Sequence, residues 1–245
     1  MERQNENLRK LFESHYTWIE GFNRNVRRYY DRLAMIDPYS NRQWTYKELN
    51  NEVNRFANTL LEDGFEGGDV VMVMTQNCPE FAFAYISTQK IHGVMSPVSF
   101  RLSAGELAQN LSDSKPKVII FDNKRKDTVL QAVKISGLQP KRLIVTDGIT
   151  DMNIVSYHDY VDVASNREPM VAEPLNIYEE TTRLYTSGTT GRAKGVPLTS
   201  INEVLSAHDI MIHFPMSFRD VTLNTTPWFH RGGIHCGGPC PTFYA

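Results

Sequence analysis

Between Trp44 and Val145 the apolar positions switch repeatedly between two periods. Leu49, Val53, Phe56, Ala57, Leu60 and Leu61 recur at helical spacing behind Thr45-Tyr46-Lys47-Glu48, a Ser/Thr-x-x-Glu capping box, and Gly64 ends the helix. Val70 to Met74 is an unbroken apolar run too short for a helix, the pattern of a strand covered on both faces. Pro79 opens a helix that is apolar nearly all round through Phe81, Ala82, Phe83, Ala84, Tyr85 and Ile86. It is expected to be deeply packed, with Gly93 at its C′ position. Ser103-Ala104-Gly105-Glu106 repeats the capping box before Leu107, Ala108 and Leu111, and Lys117 to Phe121 reads as a second buried strand. The helix Asp127 to Ser136 stops at Gly137, and Arg142 to Thr146 is a further strand. Ser200-Ile201-Asn202-Glu203 has the capping-box form a third time, before Leu205, Ile210, Met211 and Ile212.

Short Val/Ile-rich strands alternating with helices predict an α/β fold, a mostly parallel sheet flanked by helices. The stretch from Glu6 to Arg32, with Leu8, Leu11, Phe12, Trp18 and Ile19, reads as one helix laid on the outside of the domain. Asp151 to Glu180 is acidic and weakly periodic, an irregular connection with one short helix. The expected organisation is a helical lead-in over 1–36, an α/β lobe over 37–172 and the start of a second lobe over 173–245.

Composition narrows the function classes. The chain has 245 residues, 41% of them hydrophobic, with Lys+Arg 26 against Asp+Glu 28, so it lacks the basic excess of a nucleic-acid binder. No apolar run approaches the roughly 20 residues of a membrane span. Met1 to Lys10 is too polar for a signal peptide, and three cysteines do not read as a disulfide framework; the expected compartment is the cytoplasm.

Tyr185-Thr186-Ser187-Gly188-Thr189-Thr190-Gly191-Arg192-Ala193-Lys194-Gly195 carries the most chemistry. Glycines bring backbone N–H groups close to an anion, the hydroxyls of Thr186, Ser187, Thr189 and Thr190 add donors, and Lys194 adds a positive charge. The matching ligand is a polyphosphate. The order fits neither a Walker A loop nor a dinucleotide fingerprint, because Lys194 is followed by Gly195 and no G-x-G-x-x-G occurs.

The stretch resembles the phosphate-binding signature of the adenylate-forming enzymes, the superfamily of acyl-CoA synthetases, peptide-synthetase adenylation domains and luciferases. The likeness continues in Trp44-Thr45-Tyr46-Lys47-Glu48-Leu49, Gly68-Asp69-Val70-Val71, Asn77-Cys78-Pro79-Glu80-Phe81, Arg101-Leu102-Ser103 and Thr226-Pro227-Trp228-Phe229-His230-Arg231-Gly232-Gly233, and covers the chain from about Asp37 onward. The resemblance implies an ATP-dependent carboxylate–CoA ligase. A carboxylate attacks the α-phosphate of Mg2+-ATP to give an acyl-adenylate and pyrophosphate, and coenzyme A, a cosubstrate, then displaces AMP. It implies that Thr186, Ser187, Gly188, Thr189, Thr190, Gly191 and Lys194 hold the ATP phosphates, with Lys194 and Thr186 as catalytic groups. His230, with Trp228 and Phe229, would border the acid, which is expected to be fatty, aromatic or alicyclic.

Two departures qualify the resemblance. Ala193 stands where the family often has proline, and the family's downstream motifs and C-terminal catalytic lysine have no counterpart here. The expectation is an N-terminal part, inactive alone, whose missing partner is the rest of its own chain and whose apolar surface is exposed near Phe243 and Tyr244. Two alternatives stand beside it: a non-catalytic nucleotide- or partner-binding short product, and a peptide-synthetase adenylation domain. His230, His235, Cys236 and Cys240 crowd potential zinc ligands together, but the spacing matches no common site. No metal centre is expected, and Cys236 and Cys240 read as buried small residues.

Overall fold

The computed structural model describes residues 2–148, 150–151, 153–186 and 193–245. Its first two helices are α1 (Glu2–His15) and α2 (Trp18–Arg28), where the sequence suggested one. The break is chemical: Thr17 caps α2 by accepting the Glu20 N–H, and the Trp18 N–H is drawn away to Ser200 Oγ at 2.9 Å. Only α1 lies outside, with Leu8, Leu11 and Phe12 exposed, whereas α2 buries Trp18, Ile19, Phe22 and Val26 along one stripe.

A two-stranded antiparallel ribbon, β1 (Leu33–Asp37) and β2 (Arg42–Thr45), follows. It leads into α3 (Tyr46–Glu62), whose capping box forms as expected: Glu48 Oε2 accepts the Thr45 N–H at 2.8 Å while Thr45 Oγ1 accepts the Glu48 N–H at 3.2 Å. Next come β3 (Val70–Met74) and α4 (Pro79–Lys90), every residue of which is buried. At the end of α4 the residue with positive φ is His92 (58°), not Gly93. The Gly93 N–H still closes a Schellman bond to Thr88 O at 2.7 Å. What requires a glycine there is space, because a Cβ on Gly93 would lie 2.6 Å from the Phe65 ring.

The chain continues through β4 (Val94–Pro97), α5 (Ala104–Ser114) with its Ser103–Glu106 capping box, β5 (Val118–Phe121), α6 (Lys126–Ser136) ending on Gly137 at φ 69°, and β6 (Arg142–Val145). The stretch read as irregular holds a strand, β7 (Ile154–Ser156), before the short helix α7 (Tyr157–Val161). Then follow β8 (Glu180–Thr186), β9 (Lys194–Thr199), α8 (Ser200–His213), α9 (Arg231–Ile234) and α10 (Pro239–Tyr244).

Seven strands form one sheet in the order β7-β6-β5-β3-β4-β8-β9, parallel except for β9 against β8. The fold is α/β, a mostly parallel sheet flanked by helices. Val71, Val73, Ile120 and Ile144 face a core shared with α2, α3, α4 and α8, while Met72, Met74, Ile119, Phe121 and Val145 face a second core under α5 and α6. The sheet runs on past residue 172, where a lobe boundary was expected, since β8 pairs with β4 at Met95↔Thr182. No helix among the described residues is long and apolar enough to cross a membrane.

Two expectations fail for lack of the partner that tertiary structure supplies. The third capping box is shifted by one residue: Asn202 Oδ1 accepts the Thr199 N–H at 2.9 Å, which turns Glu203 inward. Phe243 and Tyr244 are buried rather than exposed, because α10 packs on α2. Phe243 meets Phe22 edge to face, the Trp18 Nε1–H donates to Cys240 O at 2.8 Å, and Asn25 Nδ2 donates to Phe243 O at 3.1 Å.

Gly93→Ala should cost about 1–3 kcal/mol by overpacking against Phe65. Gly105→Ala, whose Cβ meets nothing within 4 Å inside α5, should be neutral or stabilising. Urea unfolding midpoints separate the two; equal midpoints would contradict the steric role given to Gly93.

Candidate functional site

In a parallel sheet every strand-leaving turn of a βαβ unit opens on the same edge, where ligands bind in open α/β folds. Here that edge gathers the turns after β3, β4 and β5 and the C-terminal end of β8 at Thr186. The β8–β9 hairpin closes on the pair Thr186↔Lys194. Residues directly opposite in an antiparallel pair project from one face, so the Thr186 and Lys194 side chains leave the same face of the hairpin, both on exposed residues. Tyr185 fastens the hairpin to α5 by donating its hydroxyl to Asp113 Oδ2 at 2.7 Å. Ser187, Gly188, Thr189, Thr190 and Gly191 lie outside the described residues. Lys194 makes no ion pair among the described residues.

The second motif is anchored at the turn after β3. Asn77 Nδ2 donates to Thr226 O at 2.9 Å, and Asn77 Oδ1 accepts the Trp228 N–H at 2.8 Å. Trp228 is half-buried, its ring 5.5 Å from that of Phe81. Phe229 is also half-buried and packs edge to face on Phe100 at 5.3 Å, and the guanidinium groups of Arg101 and Arg125 each lie 5.5 Å from the Phe100 ring centroid. Next to them Asp122 accepts the Gln76 N–H at 3.4 Å; burial raises its carboxyl pKa against the pull of Arg125, and Asp147 adds to the rise.

His230 is exposed and caps α9, its Nδ1 accepting the Gly232 N–H at 3.1 Å. That bond leaves Nε2 as the outward-facing nitrogen, the one able to meet a ligand. Two glycines of this segment have a packing role. A Cβ on Gly233 would run into the Pro227 carbonyl, and one on Gly238 into the Gly233 carbonyl.

The zinc-like group suggested by the sequence does not assemble. His230 and Cys236 are exposed, which corrects the expectation of a buried Cys236, while His235 and Cys240 turn inward. They meet Glu203 instead. Its Oε2 accepts from Tyr85 at 2.9 Å and lies 2.7 Å from His235 Nε2. Burial opposes the Glu203 charge, but the His235 imidazole and the hydrogen bonds outweigh it and hold the carboxyl below its ordinary range. Sequence reasoning missed Glu203 as a buried group and gave Asn77 and Phe100 no role. Asn77 alone had a signal, its place beside Pro79 at a helix start.

A family model described as AMP-binding enzyme matches residues 22–243, from within α2 to the end of α10. The chain belongs to the AMP-binding enzyme family. This family member is 29% identical over 232 residues to a crotonobetaine/carnitine–CoA ligase of Citrobacter koseri, covering 84% of this chain and 42% of that protein. It thus spans less than half the length of that curated relative. Its fold matches the anthranilate CoA ligase AuaEII in complex with anthranoyl-AMP (TM-score 0.84, 20% identity, 93% of this chain and 43% of that one). It also matches ATP-bound MatB from Rhodopseudomonas palustris (TM-score 0.78, 24% identity, 94% and 44%).

Asn77→Ala removes both bonds that tether the second motif of this AMP-binding family member and should cost about 1–3 kcal/mol. Amide exchange at 224–230 should accelerate while β3 and β5 stay protected. Unchanged exchange at the Trp228 amide would show that other contacts hold the motif.

Proposed function

We propose that this chain contributes the phosphate-gripping and acid-bordering parts of an ATP-dependent carboxylate–CoA ligase. The observation that carries the reading is the pairing of Thr186 with Lys194 at the base of the glycine-rich hairpin, on the carboxyl edge of the sheet. A polyphosphate seated at the hairpin meets an ammonium and a hydroxyl carried on directly paired residues of the two strands. The same donors oppose the negative charge that develops as the acid's carboxylate attacks the α-phosphate and pyrophosphate leaves. Mg2+ enters with ATP as part of the substrate. Ser187, Gly188, Thr189, Thr190 and Gly191 complete the cradle with backbone and hydroxyl donors.

In this reading Trp228, Phe229 and His230 border the acid, and the aromatic cluster with Phe100 favours an acid with an apolar body: fatty, aromatic or alicyclic. Coenzyme A then takes the acyl group and AMP departs. The names of the relatives support the class, since all three are acid–CoA ligases or are bound to ATP or an acyl-adenylate. Catalysis is assigned to the longer protein, because this chain spans 42% of its curated relative.

Mg-ATP should raise the melting temperature of this chain, with a stabilisation that follows RT ln(1 + [L]/Kd). Lys194→Ala should weaken that response by about 1–3 kcal/mol, the loss of one charge-assisted contact. Acid-dependent pyrophosphate exchange should be absent for this chain and present for a full-length ligase carrying it. A melting temperature indifferent to millimolar Mg-ATP would sink the nucleotide site. Full exchange by the chain alone would sink the assignment of catalysis to the longer protein. A Lys194→Ala ligase with unchanged ATP KM but raised acid KM would reverse the roles of the two motifs.

A further inference from the structure

Glu203, His235 and Cys240 converge from α8, the C-cap of α9 and the first turn of α10. Their donor atoms, a carboxylate oxygen, an imidazole nitrogen and a thiol sulfur, all lie within 4.8 Å of one another. The three residues are 0%, 2% and 0% exposed. We propose that these three side chains form a buried site for a single transition-metal dication of the Zn2+ type. The site stands apart from the hairpin and the aromatic motif, and the inference does not depend on the ligase reading.

Two observations carry it. The donor set is mixed, one hard, one intermediate and one soft, which suits a borderline dication better than Mg2+ or Ca2+, whose ligands are oxygens. Glu203 Oε1 is buried and makes no hydrogen bond of good geometry among the described residues, although the Thr182 hydroxyl lies near enough to favour the carboxylate's charge and Oε2 is held by both Tyr85 and His235. A buried carboxylate oxygen so weakly met is costly unless something electropositive meets it.

The geometry asks for small adjustments. Tetrahedral nitrogen and oxygen ligands at Zn bond lengths of about 2.0–2.2 Å stand roughly 3.3 Å apart, so the 2.7 Å contact between His235 Nε2 and Glu203 Oε2 opens by a fraction of an ångström. Cys240 Sγ, now 3.4 Å from Glu203 O, turns from that carbonyl toward the ion. Binding releases the Cys240 thiol proton to solvent and moves the His235 proton from Nε2 to Nδ1, replaces the Glu203–His235 hydrogen bond by two metal bonds, and leaves Tyr85 orienting the carboxylate, with a water carried in by the ion as the fourth ligand. Because the donors are enclosed, the ion enters as α9 and α10 close over α8, so loading accompanies folding.

Co2+ is the probe, since its spectrum reports both geometry and sulfur ligation. The chelator-treated, reduced protein is titrated with Co2+ in the folded state and refolded in its presence. One equivalent should bind with the intense visible bands of a tetrahedral centre and a near-ultraviolet thiolate-to-cobalt band, and Zn2+ should bleach both. Cys240→Ser should abolish the thiolate band and weaken Co2+ binding by roughly tenfold or more. If that variant fails to fold, the Cys78→Ser/Cys236→Ser protein, with Cys240 as its sole thiol, must retain the band. Absence of stoichiometric Co2+ under both loading regimes overturns the site, as does a thiolate band that survives Cys240→Ser or disappears from the Cys78→Ser/Cys236→Ser protein.

Discussion

A parallel sheet must be covered on both faces, and the rest of this structure depends on that constraint. In β3 alone, Val71 and Val73 enter one core and Met72 and Met74 the other. Helices therefore lie on both sides, and each βαβ crossover leaves its strand at the same edge. Thr75 to Cys78, Val98 to Ser103, Asp122 to Arg125 and the end of β8 at Thr186 become neighbours because the sheet is covered this way, not because any local sequence brings them together. The connections from β3 to β4 and from β5 to β6 depart in opposite directions, opening a crevice at that edge. Asn77 and Asp122 stand there.

The segment that carries Trp228, Phe229 and His230 cannot hold its own shape. Its two helices have 4 and 6 residues, too few to be stable alone. It is fixed by groups far away in sequence: Asn77 at one end, Trp18 and Asn25 at the other, and Glu203 through His235 between them. Burial of α2 and placement of His230 are thus one arrangement. A helix lying loosely outside the domain could not supply the Trp18 and Asn25 donors.

Periodicity reported which face of an element is apolar, and where that sufficed the sequence was legible. The limits of β3, the capping boxes at Thr45 and Ser103 and the stop at Gly137 all follow from local chemistry. Features that depend on what lies opposite were not legible. The helix break at Thr17 needs Ser200 as acceptor, Gly93 is set by the Phe65 ring, and the burial of Phe243 and Tyr244 needs α2. The capping box at α8 shows how small the margin is. Moving the N-cap from Ser200 to Thr199 shifts Glu203 from the solvated N3 position to the following one, about 100° around the helix, and a surface carboxylate becomes an interior one.

That shift produces a contrast between two charges on consecutive elements. Lys194 opens β9 on the exposed edge of a hairpin, where a surface ion pair would gain little and where its charge stays available to an incoming anion. Glu203, in the first turns of the helix that β9 feeds, is removed from water and must find its counter-charge inside the protein. In the proposed reading the exposed cation governs what the hairpin binds from outside. The buried anion ties α8 to the end of α9 through His235 and lies beside Cys240 of α10.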